Sequence, residues 1–268
     1  MANTVIITSL KGGVGKSTIT AGISTALALS GKRVLVLDFD FTVRSLELIL
    51  GLENKTVFNS FDVIECRCPL ERALVMHEKV SGLYFLAAPK LEGAGAASLD
   101  FGRLFDEVKS FEEDGKKFDY IIVDAQAKDT DIIREISPYC DRALVVSSQS
   151  PSSVRSAELT GVLLNTCGVR DTKLVVNGFD AEGVLNSGRM GLIEMIDTAR
   201  LMLLGAVPYD RKLELISEKG DGIDTLPKAD NTRRAFMNIA ARLDGGQTPL
   251  FDGFAGGIYK KVLQIKKS

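Results

Sequence analysis

Histidine occurs once in the 268 residues, as His77. A lone imidazole supports no obvious Ser/His/Asp triad. With no second histidine or matching cysteine spacing, it also argues against a zinc site. The four cysteines, Cys66, Cys68, Cys140 and Cys167, include a C-x-C pair but no C-x-x-C. They read as free thiols, with a cluster shared between subunits as the lesser alternative. No run of 18 apolar residues and no cleavable leader is present, which argues against a spanning or secreted chain and for a reducing cytoplasm. The formal net charge of −2 provides no global basic field for nucleic acid, although a local basic patch remains open. There is no internal repeat and no long low-complexity linker, and Gly93 to Ala97 is a short flexible loop at most.

What the chain does have is the apolar and charged content of a globular protein, 45% and 25%. Its apolar runs are of strand length and rich in Val, Ile and Leu, with little alternation. They fall at residues 4–7, 33–37, 83–87, 120–123, 143–147, 173–176 and 204–207. Helix-period segments lie between them, at 19–29, 45–50, 101–112, 153–164, 188–198 and 232–243. This alternation predicts an α/β fold with a mostly parallel, doubly wound sheet and helices on both faces. In such a fold the strand C-termini share one edge, where ligands bind.

The stretch Lys11-Gly12-Gly13-Val14-Gly15-Lys16-Ser17-Thr18 lies between the first strand and the first helix. Its backbone N–H groups can wrap a phosphate chain, and the following helix adds its positive dipole end. Lys16 would reach the β/γ-phosphates of ATP, and the Ser17 hydroxyl would ligate Mg²⁺. Leu10 stands where G-x-x-x-x-G-K-[ST] has its first glycine. What fits fully is K-G-G-x-G-K-[ST], with the added Lys11. Two other strands end in carboxylates, Asp38-Phe39-Asp40 and Asp124, which places them on the P-loop edge. Asp124 after four apolar residues has the form of a Mg²⁺-holding strand-end aspartate. Three motifs on one edge make a nucleotide site.

These motifs resemble the deviant P-loop of the MinD/ParA ATPases. The resemblance runs in order over nearly the whole chain, through Val34 to Leu52 and on past Val57 to Asp62-Val63-Ile64. It continues through Ser152-Ser153-Val154-Arg155-Ser156 and Leu204-Gly205-Ala206-Val207-Pro208 with Asp210, and is strongest to the septum-placing branch of the family. It implies an ATP hydrolase that dimerises on ATP and positions the division site or other cargo. Carried over by position, Asp40 positions the attacking water and Asp38 supports the metal shell. Lys11 reaches the partner copy's nucleotide, and Asn177, Pro208 and its neighbours frame the adenine. A cation supplied in trans accelerates hydrolysis by roughly 10³–10⁵, so Lys11 would tie hydrolysis to dimerisation. The chain departs from the family at three places. Ala125-Gln126-Ala127-Lys128 replaces Ser-Pro-Ala-Gly or a near relative, so a side chain stands where the switch II turn ordinarily has none. Gly178 follows Asn177 where a larger residue is usual. An aspartate expected near Ser156-Ala157-Glu158, where an activator (MinE-like or other) docks, is absent.

The end of the chain reads as three parts: an ATPase domain over 1–244, a tether over 245–257 and a targeting segment over 258–268. Five glycines and a proline within 13 residues mark the tether. On a helix, Ile258, Val262 and Ile265 share one face, flanked by Tyr259 and Leu263. Lys260, Lys261, Gln264 and Lys267 lie mainly opposite. Such a segment suits an anionic membrane surface, and the family ends in a similar one. Each lysine contributes about 1 kcal/mol at an anionic leaflet. One copy is marginal, whereas two on an ATP-bound dimer gain roughly 10²–10⁴ in avidity. The expected location is therefore cytoplasmic, peripheral on the inner face of the cell membrane. The alternatives are a ParA-like DNA-partition or polar-positioning ATPase, an iron–sulfur carrier ATPase, and a slow nucleotide-binding scaffold. The basic apolar tail argues against DNA as the partner.

Overall fold

The computed structural model describes residues 2–41, 44–89 and 100–248. The loop expected around Gly93, most of the expected tether, and the residues expected to face a membrane, Ile258, Tyr259, Val262, Leu263 and Ile265, lie outside the described residues. In chain order the elements begin with β1 (Asn3–Thr8), α1 (Lys16–Leu29), β2 (Val34–Phe39), α2 (Ser45–Ile49), α3 (Ser60–Ile64) and α4 (Leu70–Ala73). Next come β3 (Val75–Met76), β4 (Leu83–Leu86), α5 (Phe101–Ser110), β5 (Tyr120–Ala125), α6 (Thr130–Ile136) and β6 (Arg142–Ser147). The chain continues with α7 (Pro151–Thr166), β7 (Asp171–Phe179), α8 (Ala181–Asn186), α9 (Leu192–Ala199), β8 (Met202–Pro208), α10 (Arg211–Lys219) and α11 (Asn231–Leu243).

The eight strands form one sheet in the order β3-β4-β2-β5-β1-β6-β7-β8. All neighbours are parallel except β3 and β4. Successive side chains on a strand point to opposite faces. On β1, Ile6 enters one core while Val5 and Ile7 enter the other. On β2, Leu35, Leu37 and Phe39 face the first core, and Val34 and Val36 face the second. Both faces are apolar, so both need helices over them. The first core is covered by residues of α3, α5, α6, α7 and α9, the second by residues of α1, α2, α10 and α11. Burying each Leu, Ile or Phe contributes roughly 1.5–3 kcal/mol, and this sandwich holds β1, β2 and β5 in fixed register.

The seven expected strands are all present. β2 and β5 run two residues further than expected, so Asp38 and Asp124 sit inside the ladder, directly opposite each other. The helix expected over 188–198 starts only at Leu192, because Gly188 is left-handed (φ 63) and Gly191 is extended as its N-cap. The helix expected over 101–112 stops at Ser110. Strand β3, two residues on an antiparallel edge with Met76 exposed, has too short a pattern to read. Residues 245–248, the start of the expected tether, fold back on α11. There Arg242 Nε donates to the Thr248 carbonyl at 3.0 Å, and the Thr248 hydroxyl donates to the Asn238 carbonyl at 3.3 Å.

Helix α1 reaches its place only because Gly22 lets α11 come close. A Cβ at Gly22 would lie 2.2 Å from the Phe236 ring. Gly22→Ala should therefore destabilise the protein by about 1–3 kcal/mol through overpacking, measured by urea denaturation. An unchanged midpoint would show that the α1–α11 contact gives way freely.

Candidate functional site

The P-loop turns from β1 into α1 through Gly15, which is left-handed (φ 85) and serves as the N-cap without a side-chain cap. No acidic residue occupies the first turn of α1. By contrast, Asp100, Asp129, Ser150, Asp180, Asp210 and Asp230 each cap a later helix. The first N–H groups of α1 are thus left for an anion. Lys16 and Ser17 are both buried, and Val14 anchors the loop in the core.

Beneath the loop lies Asp124, with no exposed surface. Ser17 Oγ donates to its Oδ2 at 2.7 Å, and Thr20 Oγ1 approaches its Oδ1 at 3.0 Å. Burial pushes its carboxyl above the ordinary value, opposed by the Lys16 charge and the two hydroxyls. Asp38, on the adjacent strand, is pushed well above the ordinary carboxylate value, first by burial and then by the facing Asp124. The Asp40 N–H donates to Asp38 Oδ1 at 2.9 Å. Asp38 Oδ2 is buried and has no hydrogen-bond partner among the described residues. A buried, unpartnered carboxylate oxygen beside a hydroxyl–carboxylate pair suits a hard cation. Mg²⁺ takes few protein ligands and completes its shell with water and phosphates. Ser17, Asp124 and Asp38 are the residues that would hold it, directly or through water.

At the other end of the loop, a cleft of about 440 Å³ opens between Gly13, Gly15, Thr18, Asn177, Pro208 and Asp210. Its volume suits a nucleoside. Asn177 has a further role, since its Nδ2 donates to the Val14 carbonyl at 2.9 Å and so pins the P-loop to β7. Gly178 is left-handed (φ 64) at the irregular end of the β7–β8 pairing, a conformation a larger residue would strain. The Asp210 carboxylate is occupied as the cap of α10 and as acceptor of the Thr232 hydroxyl at 2.8 Å, so Asp210 shapes the cleft wall. Tyr209, one of the neighbours expected beside Pro208, also lines the cleft, as do Leu213 and Glu214, which were not anticipated. The latter two sit in a polar helix, α10, that carries no P-loop signal.

Lys11 points away from the loop. Its Nζ donates to Ser150 Oγ at 3.3 Å and to Ser152 Oγ, at the start of α7. In switch II, Lys128 takes the left-handed conformation (φ 66) that a glycine holds without cost, and Asp129 caps α6 directly after it. The side chain therefore leaves the turn intact rather than blocking it.

Between 3.8 and their raised values, Asp38 and Asp124 hold more protons in the folded chain than in the unfolded one. The stability of the unliganded protein must then fall as pH rises through that window. Asp38→Asn removes one of the facing charges. It should raise the unliganded melting temperature by a few degrees at pH 8 and by less at pH 5. A variant that is less stable at pH 8 would contradict a strained carboxylate pair.

The family model described as the CobQ/CobB/MinD/ParA nucleotide binding domain matches residues 5–223. The septum site-determining protein MinD of Synechocystis sp. is 33% identical over 256 residues, covering 95% of this chain and 94% of that protein. The MinC:MinD cell division protein complex of Aquifex aeolicus superposes with a TM-score of 0.83 at 33% identity, over 93% of this chain and 98% of that one. MinD of Pyrococcus horikoshii, complexed with Mg-ADP, shares the fold with a TM-score of 0.72 at 22% identity, over 91% and 96%.

Proposed function

The chain belongs to the CobQ/CobB/MinD/ParA family of nucleotide-binding proteins, with MinD septum-determining relatives, and on that premise we propose that it is a MinD-like ATPase. In this reading it dimerises on Mg-ATP, docks on membrane through its C-terminal segment, and positions the division site or other cellular cargo. The observation that carries it is the buried Ser17–Asp124–Thr20 network beside the unpartnered Asp38 oxygen, directly under an uncapped helix N-terminus.

The chain's own groups divide the work. Gly12 to Gly15 and the first N–H groups of α1 cradle phosphate, and Lys16 neutralises it. Thr18, Asn177, Pro208 and Asp210 bound the nucleoside. Mg²⁺, held through Ser17, Asp124 and Asp38, would neutralise charge on the terminal phosphates. Asp40, at the end of β2, orients the attacking water. Lys11 leaves Ser150 and Ser152 to reach the partner copy's nucleotide, exchanging two hydroxyl contacts for a phosphate. Dimerisation would therefore release the contacts that Lys11 makes at the start of α7. On α7, Leu159 and Val162 are largely exposed, a surface suited to an activating or cargo protein. The Aquifex relative was solved with MinC, which supports a protein partner of that kind.

Membrane docking rests on the face of Ile258, Tyr259, Val262, Leu263 and Ile265 and the adjoining lysines. No helix among the described residues is long and apolar enough to cross a membrane, so attachment at the surface is the form proposed.

Asp40→Ala should bind ATP within about threefold of the parent affinity and hydrolyse it roughly 10²-fold more slowly or worse, followed by phosphate release. Unchanged turnover would move the water-orienting role elsewhere. Sedimentation with anionic liposomes tests the membrane function. The full chain should pellet with ATP far more than with ADP, less at high salt, and not at all after deletion of residues 257–268. Equal pelleting in both nucleotide states would remove the avidity switch, and ATP-dependent DNA binding without pelleting would favour a ParA-like partition role.

A further inference from the structure

The nucleotide cradle has a direction. Its nucleoside cleft opens at the ends of β7 and β8 against Gly13, Gly15 and Thr18. Its carboxylates, Asp38 and Asp124, lie on β2 and β5, on the opposite side of β1. A nucleotide laid along the loop therefore points its terminal phosphate towards the ends of β5 and β2. The segment that leaves β5 is switch II, and it brings Lys128 back over the loop.

Three observations meet at Lys128. Its backbone is left-handed at φ 66, a conformation that disfavours any residue with a Cβ. Its side chain lies across Gly12, so that a Cβ there would stand 3.5 Å from Lys128 Cε and 3.9 Å from Nζ. Its ammonium has no hydrogen-bond or ion-pair partner among the described residues, whereas Lys11 is tied to Ser150 and Ser152. The turn is held from both ends. The Lys128 N–H reaches the Ser9 carbonyl at 3.4 Å, and Asp129 accepts from the Asp131 and Ile132 N–H groups. A left-handed lysine thus presents an unpaired cation over the loop, on the side away from the nucleoside cleft.

We propose that Lys128 binds the terminal phosphate of a nucleoside triphosphate from the switch II side, making this chain discriminate triphosphate from diphosphate with a cation of its own. The proposal rests on the nucleotide reading of the P-loop and adds a residue to it. Lys16 serves both nucleotides through the β-phosphate, whereas Lys128 reaches a group that only the triphosphate carries. A charge-assisted contact of this kind strengthens binding without the partner copy. The monomer is thereby primed for ATP before Lys11 is delivered in trans, and phosphate release frees switch II.

The test uses the full-length chain with Mg²⁺ and calorimetric titration of ADP and of the slowly hydrolysed analogue adenylyl imidodiphosphate. It is run at protein concentrations where the chain is monomeric by light scattering. Lys128→Gly keeps the left-handed turn and should melt no lower than the parent. It should lose about tenfold in affinity for the triphosphate analogue and less than about twofold for ADP. Lys128→Arg should recover most of the loss. Equal loss for both nucleotides, no loss for the triphosphate, or tighter binding of both would overturn the proposal, the last by showing that the lysine only obstructs the loop. Lys16→Ala, run alongside, separates the two readings. If it leaves both affinities unchanged, the nucleotide site itself is wrong. If it weakens both while Lys128→Gly weakens neither, only the role of Lys128 is lost.

Discussion

A carboxylate with no exposed surface sits at the centre of this molecule. Asp124 is held by the hydroxyls of Ser17 and Thr20, one turn apart on α1. Burying a charge is costly unless it is paired and hydrogen-bonded. Here the partners come from the helix that carries Lys16, so the central strand β5 and the start of α1 are joined by polar bonds inside an apolar shell. The P-loop is fixed from the other side by Asn177, whose amide holds the Val14 carbonyl. Loop position is thus set by both halves of the sheet, which holds the uncapped N–H groups at the start of α1 in place without a ligand.

The same placement stores electrostatic strain. Asp38 and Asp124 face each other across a strand pair, and both are pushed towards protonation by burial. A core optimised for stability alone would not carry two such carboxylates in register. A divalent cation held by these carboxylates would offset their repulsion, so a bound metal would relieve a cost that the chain carries without one. Lys128 fits that pattern, since its left-handed backbone is retained where a glycine would relax it.

Control of such a site depends on which cations are in reach. Lys11 rests on Ser150 and Ser152 at the start of α7, and that link connects the phosphate end of the site to the long helix bearing exposed Leu159 and Val162. In the proposed dimer, moving Lys11 to a second copy's phosphates would break its contacts with Ser150 and Ser152 at the start of that helix.

Much of this was legible in the residues themselves. The glycine spacing of 12–15, followed by Lys16 and Ser17, needs no tertiary context, because its meaning lies in backbone conformation. Uninterrupted Val, Ile and Leu runs announce strands buried on both faces, and all seven expected strands are present. Strand β3 and the short helices α3, α4, α6 and α8 were not legible. A one- or two-turn helix is unstable alone. Side chains cap α3, α6 and α8, through Asn59, Asp129 and Asp180, whereas α4 has no side-chain cap and is held by packing of Leu70 and Ala73. The sequence alone placed Asp38, Asp40 and Asp124 on one edge, because parallel strands end together. Only the tertiary structure decided which carboxylates face each other, because register depends on packing against both cores. It also decided that Asn177 grips the P-loop and that Asp210 is committed to α10. The same holds for Lys128, which lies over Gly12 because a side chain's reach is set by the turn that carries it.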